Sequence, residues 1–284
     1  MERLPTELVI QILGYLSKKE LKVIGFISSE YRSLVLPFLF RRIRLWSWQA
    51  RRQGVAGLIM CLQNNVRLSS AIRVLDAEII TNSRYTSEGL RRILEIATWC
   101  EELILPAGEQ LPIAVFDDNT KLRLCRLTCA LGAVGAQFRR LLVDILPACT
   151  NLVDLQINDL NEDWFKTFGP AGSAAATWMN RLGKYRGPSY PLNYLHNRAP
   201  LYQLTSTTEL PSPILQRLGP LVGHRLVALY VYVDLTRNSD FNLIGKNYLP
   251  PLSISSSFPN LKYVGWFLIM SQPGSAPGIP VRSF

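Results

Sequence analysis

The sequence predicts an α/β protein in two parts. A three-helix module occupies residues 1–45, and an irregular solenoid with a parallel sheet follows. Three observations predict it. Apolar residues in the first 45 positions recur at helical spacing, with start signals between the runs. Beyond residue 70 the pattern apolar-x-x-apolar-x-apolar returns again and again. Helical stretches lie between its copies, and strand–helix alternation joins strands in parallel.

Pro5 suits the opening of the first helix, where its missing N–H costs nothing. Glu7 lies in the first turn, at the positive end of the helix dipole. Leu8, Val9, Ile12, Leu13 and Leu16 then form one apolar stripe. Ser17 and Glu20 have capping-box spacing and begin a second helix, whose apolar side is Leu21, Ile24 and Ile27 with Val23 and Phe26. Ser28 or Ser29 caps a third helix carrying Tyr31, Leu34 and Val35, which Pro37 ends or kinks. Phe38, Leu39, Phe40 and Ile43 follow beside Arg41, Arg42 and Arg44. Chains below about 40–50 residues rarely bury enough apolar surface to be stable alone. A module this small reads as a docking device that completes its core on a partner.

Leu4, Pro5, Glu7, Leu8, Ile12, Leu13, Leu16, Leu21, Ile27, Ser28, Tyr31 and Arg32 together resemble the F-box pattern. Tyr31 stands where that family often has Trp or Phe. The resemblance implies binding to the Skp adaptor of a cullin–RING ubiquitin ligase. The adaptor contact would fall to Leu4, Pro5, Leu8, Ile12, Leu13, Leu16, Leu21 and Ile24, which share their side chains with the module's own core. The alternative is a helical cap on a globular domain.

The clearest copy of the repeat is Leu152, Leu155 and Ile157, followed by Asn158 and Leu160. Others are Ile72/Leu75/Ala77, Cys100/Leu103/Leu105, Leu124/Leu127/Cys129, Leu226/Leu229/Val231 and Leu261/Val264/Trp266, with weaker copies at Leu182/Tyr185 and Leu201/Leu204. Their spacing ranges from 19 residues (Leu182 to Leu201) to 35 (Leu226 to Leu261), so the array is degenerate. Helices are expected over 55–66, 87–98 and 137–146, with shorter ones over 192–198 and 214–218. A helical module followed by such repeats resembles the F-box/leucine-rich-repeat class of substrate receptors, including its fungal type. The block from Leu182 to Pro188, with Pro191 and Leu192, is similar to a recurrent feature of that type. The expected divisions are 1–45 for the F-box, 46–70 for a linker helix or cap, 71–270 for the repeats and 271–284 for a Pro/Gly-rich tail. Residues 168–177 read as a loop within the array.

Composition narrows the function classes. Hydrophobic residues make up 48% and charged residues 18%, a globular balance. No apolar run approaches the roughly 20 residues that span a bilayer, and the start lacks signal-peptide features, so a cytoplasmic or nuclear protein with no membrane partner is expected. Residues 1–52 hold ten Lys/Arg against four Asp/Glu, a net +6 of the chain's +10. Such a patch suits an acidic protein partner. No zinc finger, RRM signature or extended basic tract accompanies it, so nucleic acid is not expected. The five cysteines (61, 100, 125, 129 and 149) form no Cys-x-x-Cys pair, and His196 and His224 alone cannot complete a zinc site. Gly183 to Gly187 lacks Walker spacing. Asp117-Asp118 and the acids of 159–163 read as loops or helix starts, with Asp159 or Asn161 capping a helix at Trp164. No cofactor, metal or catalytic site is expected, and ubiquitin transfer would belong to partner subunits.

Side chains alternate along a strand, so the residues flanking the pattern positions face the open side of the sheet. There the sequence places Asp76, Glu78, Glu102, Asp154, Gln156, Asn158, Lys184, Arg186, Tyr230, Tyr232, Tyr263 and Phe267. Of these, Tyr230, Tyr232, Tyr263, Phe267, Lys184 and Arg186 are the candidates for contact with an unidentified protein substrate. The competing account buries the rings under the C-terminal tail as a cap. The function implied is a substrate-recognition adaptor that links Skp, and through it a cullin, to a substrate. An F-box scaffold outside ubiquitination, or a repeat-type binding module, are the alternatives.

Overall fold

The computed structural model describes residues 4–45, 52–77, 84–105, 116, 118–130, 140–158, 177–196, 198–210, 212–234 and 257–269. The chain divides into two compact units, Met1–Leu124 and Cys125–Phe284. The expectations placed on Glu78, Asp117, residues 159–163, most of 168–177 and the tail lie outside the described residues.

The first unit opens with α1 (Thr6–Tyr15), α2 (Lys18–Ile24) and α3 (Ser29–Phe40). Pro5 precedes α1, and its carbonyl accepts from the backbone N–H groups of Leu8 and Val9. The capping box of α2 is complete: the Glu20 carboxylate accepts from Ser17 N–H at 2.7 Å, and Ser17 Oγ accepts from Glu20 N–H at 3.4 Å. Hydrogen bonding from the Ser17 side chain, and then from its backbone N–H, holds the Glu20 carboxyl below its ordinary value. Ser28 is the cap of α3, accepting from Tyr31 N–H at 3.1 Å. Pro37 does not end α3; the helix runs on to Phe40, its missing N–H being one ladder bond in a twelve-residue helix. Leu13, Leu21 and Val35 form the module's core, with Val9, Leu16, Ile24, Leu34, Phe38 and Leu39 packed around them.

One residue beyond α3 the chain enters a strand, β1 (Arg42–Arg44). The sequence pattern alone leaves these residues with the helical module. In the structure they carry one more copy of the repeat pattern, with Ile43 and Leu45 buried. Then come α4 (Arg52–Gln63), α5 (Val66–Ala71), β2 (Val74–Asp76), α6 (Arg84–Ile96), β3 (Glu102–Ile104) and α7 (Asp118–Arg123). β1, β2 and β3 pair in parallel in chain order, Ile43 beside Leu75 beside Leu103.

The second unit holds six parallel strands, again in chain order: β4 (Arg126–Ala130), β5 (Asp154–Asn158), β6 (Lys184–Gly187), β7 (Gln203–Glu209), β8 (Ala228–Asp234) and β9 (Tyr263–Ile269). A π-helical turn over Leu141–Ile145 runs into Leu146–Ala148, a 3₁₀ turn covers Tyr190–Tyr194, and a helix spans Ser212–Val222. With nine parallel strands joined largely through helices, the α/β expectation stands.

The repeat is defined by hydrogen bonding more sharply than by spacing. At seven strands, the carbonyl just before the strand accepts two N–H groups from the next turn. Arg41 O takes those of Arg73 and Val74, and Arg73 O those of Glu101 and Glu102. In the second unit Cys125, Val153, Gly183, Tyr202 and Val227 play the same part. Both lone pairs of that carbonyl are thereby used. The pattern residues are the core: Ile72, Leu75, Leu103, Leu124, Leu127, Leu152, Leu155, Leu182, Tyr185, Leu201, Leu204, Leu226 and Leu229 are all at most 1% exposed. Val264, the corresponding residue on β9, is 46% exposed, so the core tapers at that strand.

Candidate functional site

Two surfaces combine side chains that the fold does not itself use. The first is on the helical module. Val9, Leu13 and Leu16 face its core, while Leu8, Ile12 and Tyr15 follow the same 3.6-residue period one position earlier and point outward. What reads in the sequence as one stripe is two adjacent ones. Leu4, Leu8, Ile12 and Tyr15 are 61%, 45%, 51% and 91% exposed. Ile10, Val23, Phe26, Ile27 and Tyr31 are exposed as well. The module thus carries nine of the seventeen exposed large hydrophobics among the described residues, on about one-seventh of the chain. Scattered apolar residues on a surface need no account, but a concentration of this kind marks an interaction face.

The eight sequence-predicted contact residues separate by burial. Leu4, Pro5, Leu8 and Ile12 are exposed, Leu16 and Ile24 are half-buried, and Leu13 and Leu21 are enclosed in the module's own core. A depression of about 280 Å³ lies beside α2 and α3, lined by Gly25, Phe26, Val35, Leu36 and Leu39 together with the basic Lys22 and Arg32. Tyr15, Phe26 and Ile27 were not among the predicted contacts. Tyr15 lies off the core-facing stripe of α1, whereas Phe26 and Ile27, expected on the apolar side of the second helix, fall in the turn after α2 ends at Ile24 and are exposed there.

The second surface is the face of the strands opposite the buried pattern residues. Register aligns its side chains in rows. One row reads Arg126, Asp154, Lys184, Gln203, Ala228 and Tyr263, and the next Thr128, Gln156, Arg186, Thr205, Tyr230 and Gly265. Tyr232 and Phe267 stand opposite each other further along β8 and β9, and their side chains lie outside the described residues. Arg186 and Tyr263 are exposed, while Lys184 and Tyr230 are half-buried. Lys184 Nζ sits 5.8 Å from the centre of the Tyr202 ring. That ring lies against Gly183, where a Cβ would come within 2.7 Å of it. The Tyr230 ring likewise occupies the space over Gly265, 2.3 Å from where a Cβ would stand.

Asp76 departs from the expectation that it faces the open side. It is 1% exposed and does not offer a contact surface. Its carboxylate is 2.8 Å from the Arg42 guanidinium and 3.3 Å from that of Arg44, so two cations on β1 enclose it.

Nothing among the described residues resembles a reactive centre. No group of three His, Cys, Asp or Glu there could hold a metal. Cys100, Cys129 and Cys149 are buried, and burial pushes the Cys100 thiol up to about 12, far from a nucleophile's range. No helix among the described residues is long and apolar enough to cross a membrane.

No family model matches the chain, and no curated protein matches it significantly. Among solved structures it is similar to the one described as a Rad7 and Elc1 complex in yeast, at 13% identity and a TM-score of 0.41. That likeness spans 94% of this chain and 89% of the other. A likeness at that level establishes no function, and the functional reading rests on the chain's own residues.

Proposed function

We propose that the chain is the substrate-recognition adaptor of a Skp–cullin–F-box ubiquitin ligase. It docks a Skp adaptor through α1–α3 and a protein substrate through the open face of its strands. The observation that carries this reading is the outward stripe Leu4, Leu8, Ile12 and Tyr15, set beside a core stripe on the same ten-residue helix. Within the F-box pattern, Leu4, Leu8 and Ile12 are motif residues, and the fold leaves about half of their surface uncovered. A standard interface buries about 1,600 Å² in total, about 800 Å² from each partner, and the nine exposed apolar side chains of the module together offer surface of that order. Lys22 and Arg32 in the lining suit an acidic partner.

The test is co-expression with a Skp adaptor and co-purification of wild type beside Leu8→Ala/Ile12→Ala. A stable wild-type complex that the variant loses, while the variant stays folded, supports the reading. A folded, soluble wild type that captures no adaptor removes it. Cullin-dependent turnover of a bound partner then separates a ligase subunit from a scaffold.

A further inference from the structure

We infer that the three-helix module and the opening turns of the solenoid are one cooperative body, joined without a hinge and latched by Asp76. A partner docked on α1–α3 is thereby held in a fixed orientation to β1–β3. This goes beyond the proposed function and holds whatever partner docks.

Backbone bonds and packing make the join. Only Arg41 separates α3 from β1, and no glycine or proline lies between Phe38 and Leu45. Bodies that move against each other are joined by exposed Gly-, Pro- or polar-rich linkers that few contacts cross. Here the joining residue is itself bonded into the solenoid. Arg41 O accepts from Arg73 N–H at 2.8 Å and from Val74 N–H at 3.0 Å. At the far end of β1, Leu45 N–H donates to Asp76 O at 2.8 Å. Between these fixed points Ile43 is buried, as is Leu45. The helix is shared as well: α3 packs against α1 and α2 within the module and against α5 beyond it.

Charge closes the latch. The acid, Asp76, belongs to β2, and both of its cations, Arg42 and Arg44, belong to the strand that continues α3. At 1% exposure its carboxylate meets guanidinium groups where a surface acid would meet water. Pulling β1 away strips both cations from Asp76 and brings Ile43 and Leu45 into water. The module has little of its own to set against that loss. Its core holds three buried side chains, at a chain length that rarely folds unaided. It therefore has no stable folded state apart from the first strand pair, and the two open together.

Hydrogen–deuterium exchange of the full chain, read by mass spectrometry in rising sub-denaturing urea, is the test. Peptides from α1–α3 should share one level of protection and one urea dependence with peptides from β1–β3. Asp76→Asn changes only the solenoid side of the join. It should lower the protection of α1 and α2 by the same factor as that of β2 and β3, about thirtyfold for a charged hydrogen bond lost from a buried group. Leu13→Ala, in the module's core, should lower β2 and β3 as well as α1 and α2. A four-residue Gly-Ser spacer between Phe40 and Arg41 leaves every named side chain in place. It should separate the two sets, with α1 and α2 exchanging ahead of β2 and β3. The inference is overturned if the wild-type module exchanges ahead of β2 and β3 with a smaller urea dependence. Loss of protection confined to β2 and β3 in Asp76→Asn overturns it too, as does a spacer variant with the wild-type pattern. The wild-type pattern decides even where a variant fails to fold. Adaptor capture is measured separately, so its failure removes the ligase reading and leaves this one standing.

Discussion

Leu13 and Ile12 are neighbours on α1, and truncating them should have opposite consequences. Leu→Ala removes three carbons, about 2.4 kcal/mol of transfer free energy at about 0.8 kcal/mol per carbon. Leu13 is 2% exposed and one of three fully buried side chains in the module, so the whole term applies and a cavity term adds to it. The expected loss for Leu13→Ala is about 3 kcal/mol. Ile12→Ala removes the same number of carbons, but the residue is 51% exposed, so about half the term, roughly 1.2 kcal/mol, bears on folding. Alanine's better helix propensity returns a few tenths of that. The exposed half is what a docked partner covers. Its loss should weaken adaptor binding by about 1.2 kcal/mol, or roughly eightfold in Kd. Adding Leu8→Ala, at 45% exposure, brings the loss to about fiftyfold on the same reckoning. Urea denaturation gives the first quantity and calorimetric titration with a purified Skp adaptor the second. If Ile12→Ala destabilises as much as Leu13→Ala, or if Leu8→Ala/Ile12→Ala binds as tightly as wild type, the division of α1 into an inner and an outer stripe is wrong.

Asp76→Asn leaves a buried amide between two guanidinium groups and should cost about 2 kcal/mol in denaturant unfolding. A loss under about 0.5 kcal/mol would mean the pairs are no better than surface ones. Glu88, hydrogen-bonded by Arg91 and then by Arg92, has its carboxyl lowered to about 2 from an ordinary 4.5. A lowered carboxyl pKa stabilises above the unfolded value and loses that contribution as pH falls through the folded one. The difference in Tm between wild type and Glu88→Gln should therefore be constant above about pH 4.5 and gone by about pH 2; a difference that grows on acidification contradicts the pairing. With an aromatic disulfide reagent at neutral pH, Cys61 should be labelled at once, whereas Cys100, Cys129 and Cys149 should wait for unfolding. Prompt labelling of Cys100 would show that its turn opens in the native state.

The buried side of the strands was legible in the sequence, and the physical reason is local. A parallel strand between a helix and its own turn leaves fixed positions that only apolar residues can fill, so Leu75, Leu103, Leu155 and Leu229 announce themselves however far apart they stand. Even the weak copies at Leu182/Tyr185 and Leu201/Leu204 are completely enclosed. Spacing was the poorer guide, because each turn is anchored by the forked carbonyl before its strand, and the loop between two forks is free to vary. The first copy escaped notice for a long-range reason. Arg42 and Arg44 look like the basic end of a helix until Asp76, 34 residues beyond Arg42, is seen to complete them. For the same reason Asp76 looked like a free surface acid.

The helical module shows where periodicity stops being informative. A 3.6-residue repeat identifies an amphipathic helix, but it does not say whether one apolar stripe or two adjacent ones are present, since successive positions differ by only about 100°. On α1 two are present: Val9, Leu13 and Leu16 close the core, and Leu8, Ile12 and Tyr15 remain outside it. Three buried side chains are a slender core for about 40 residues. The continuity of α3 with β1, only Arg41 apart, ties those helices to the first strand pair. That attachment gives so slender a core a second source of order. In the proposed function, the apolar surface left outside the core is what the adaptor covers.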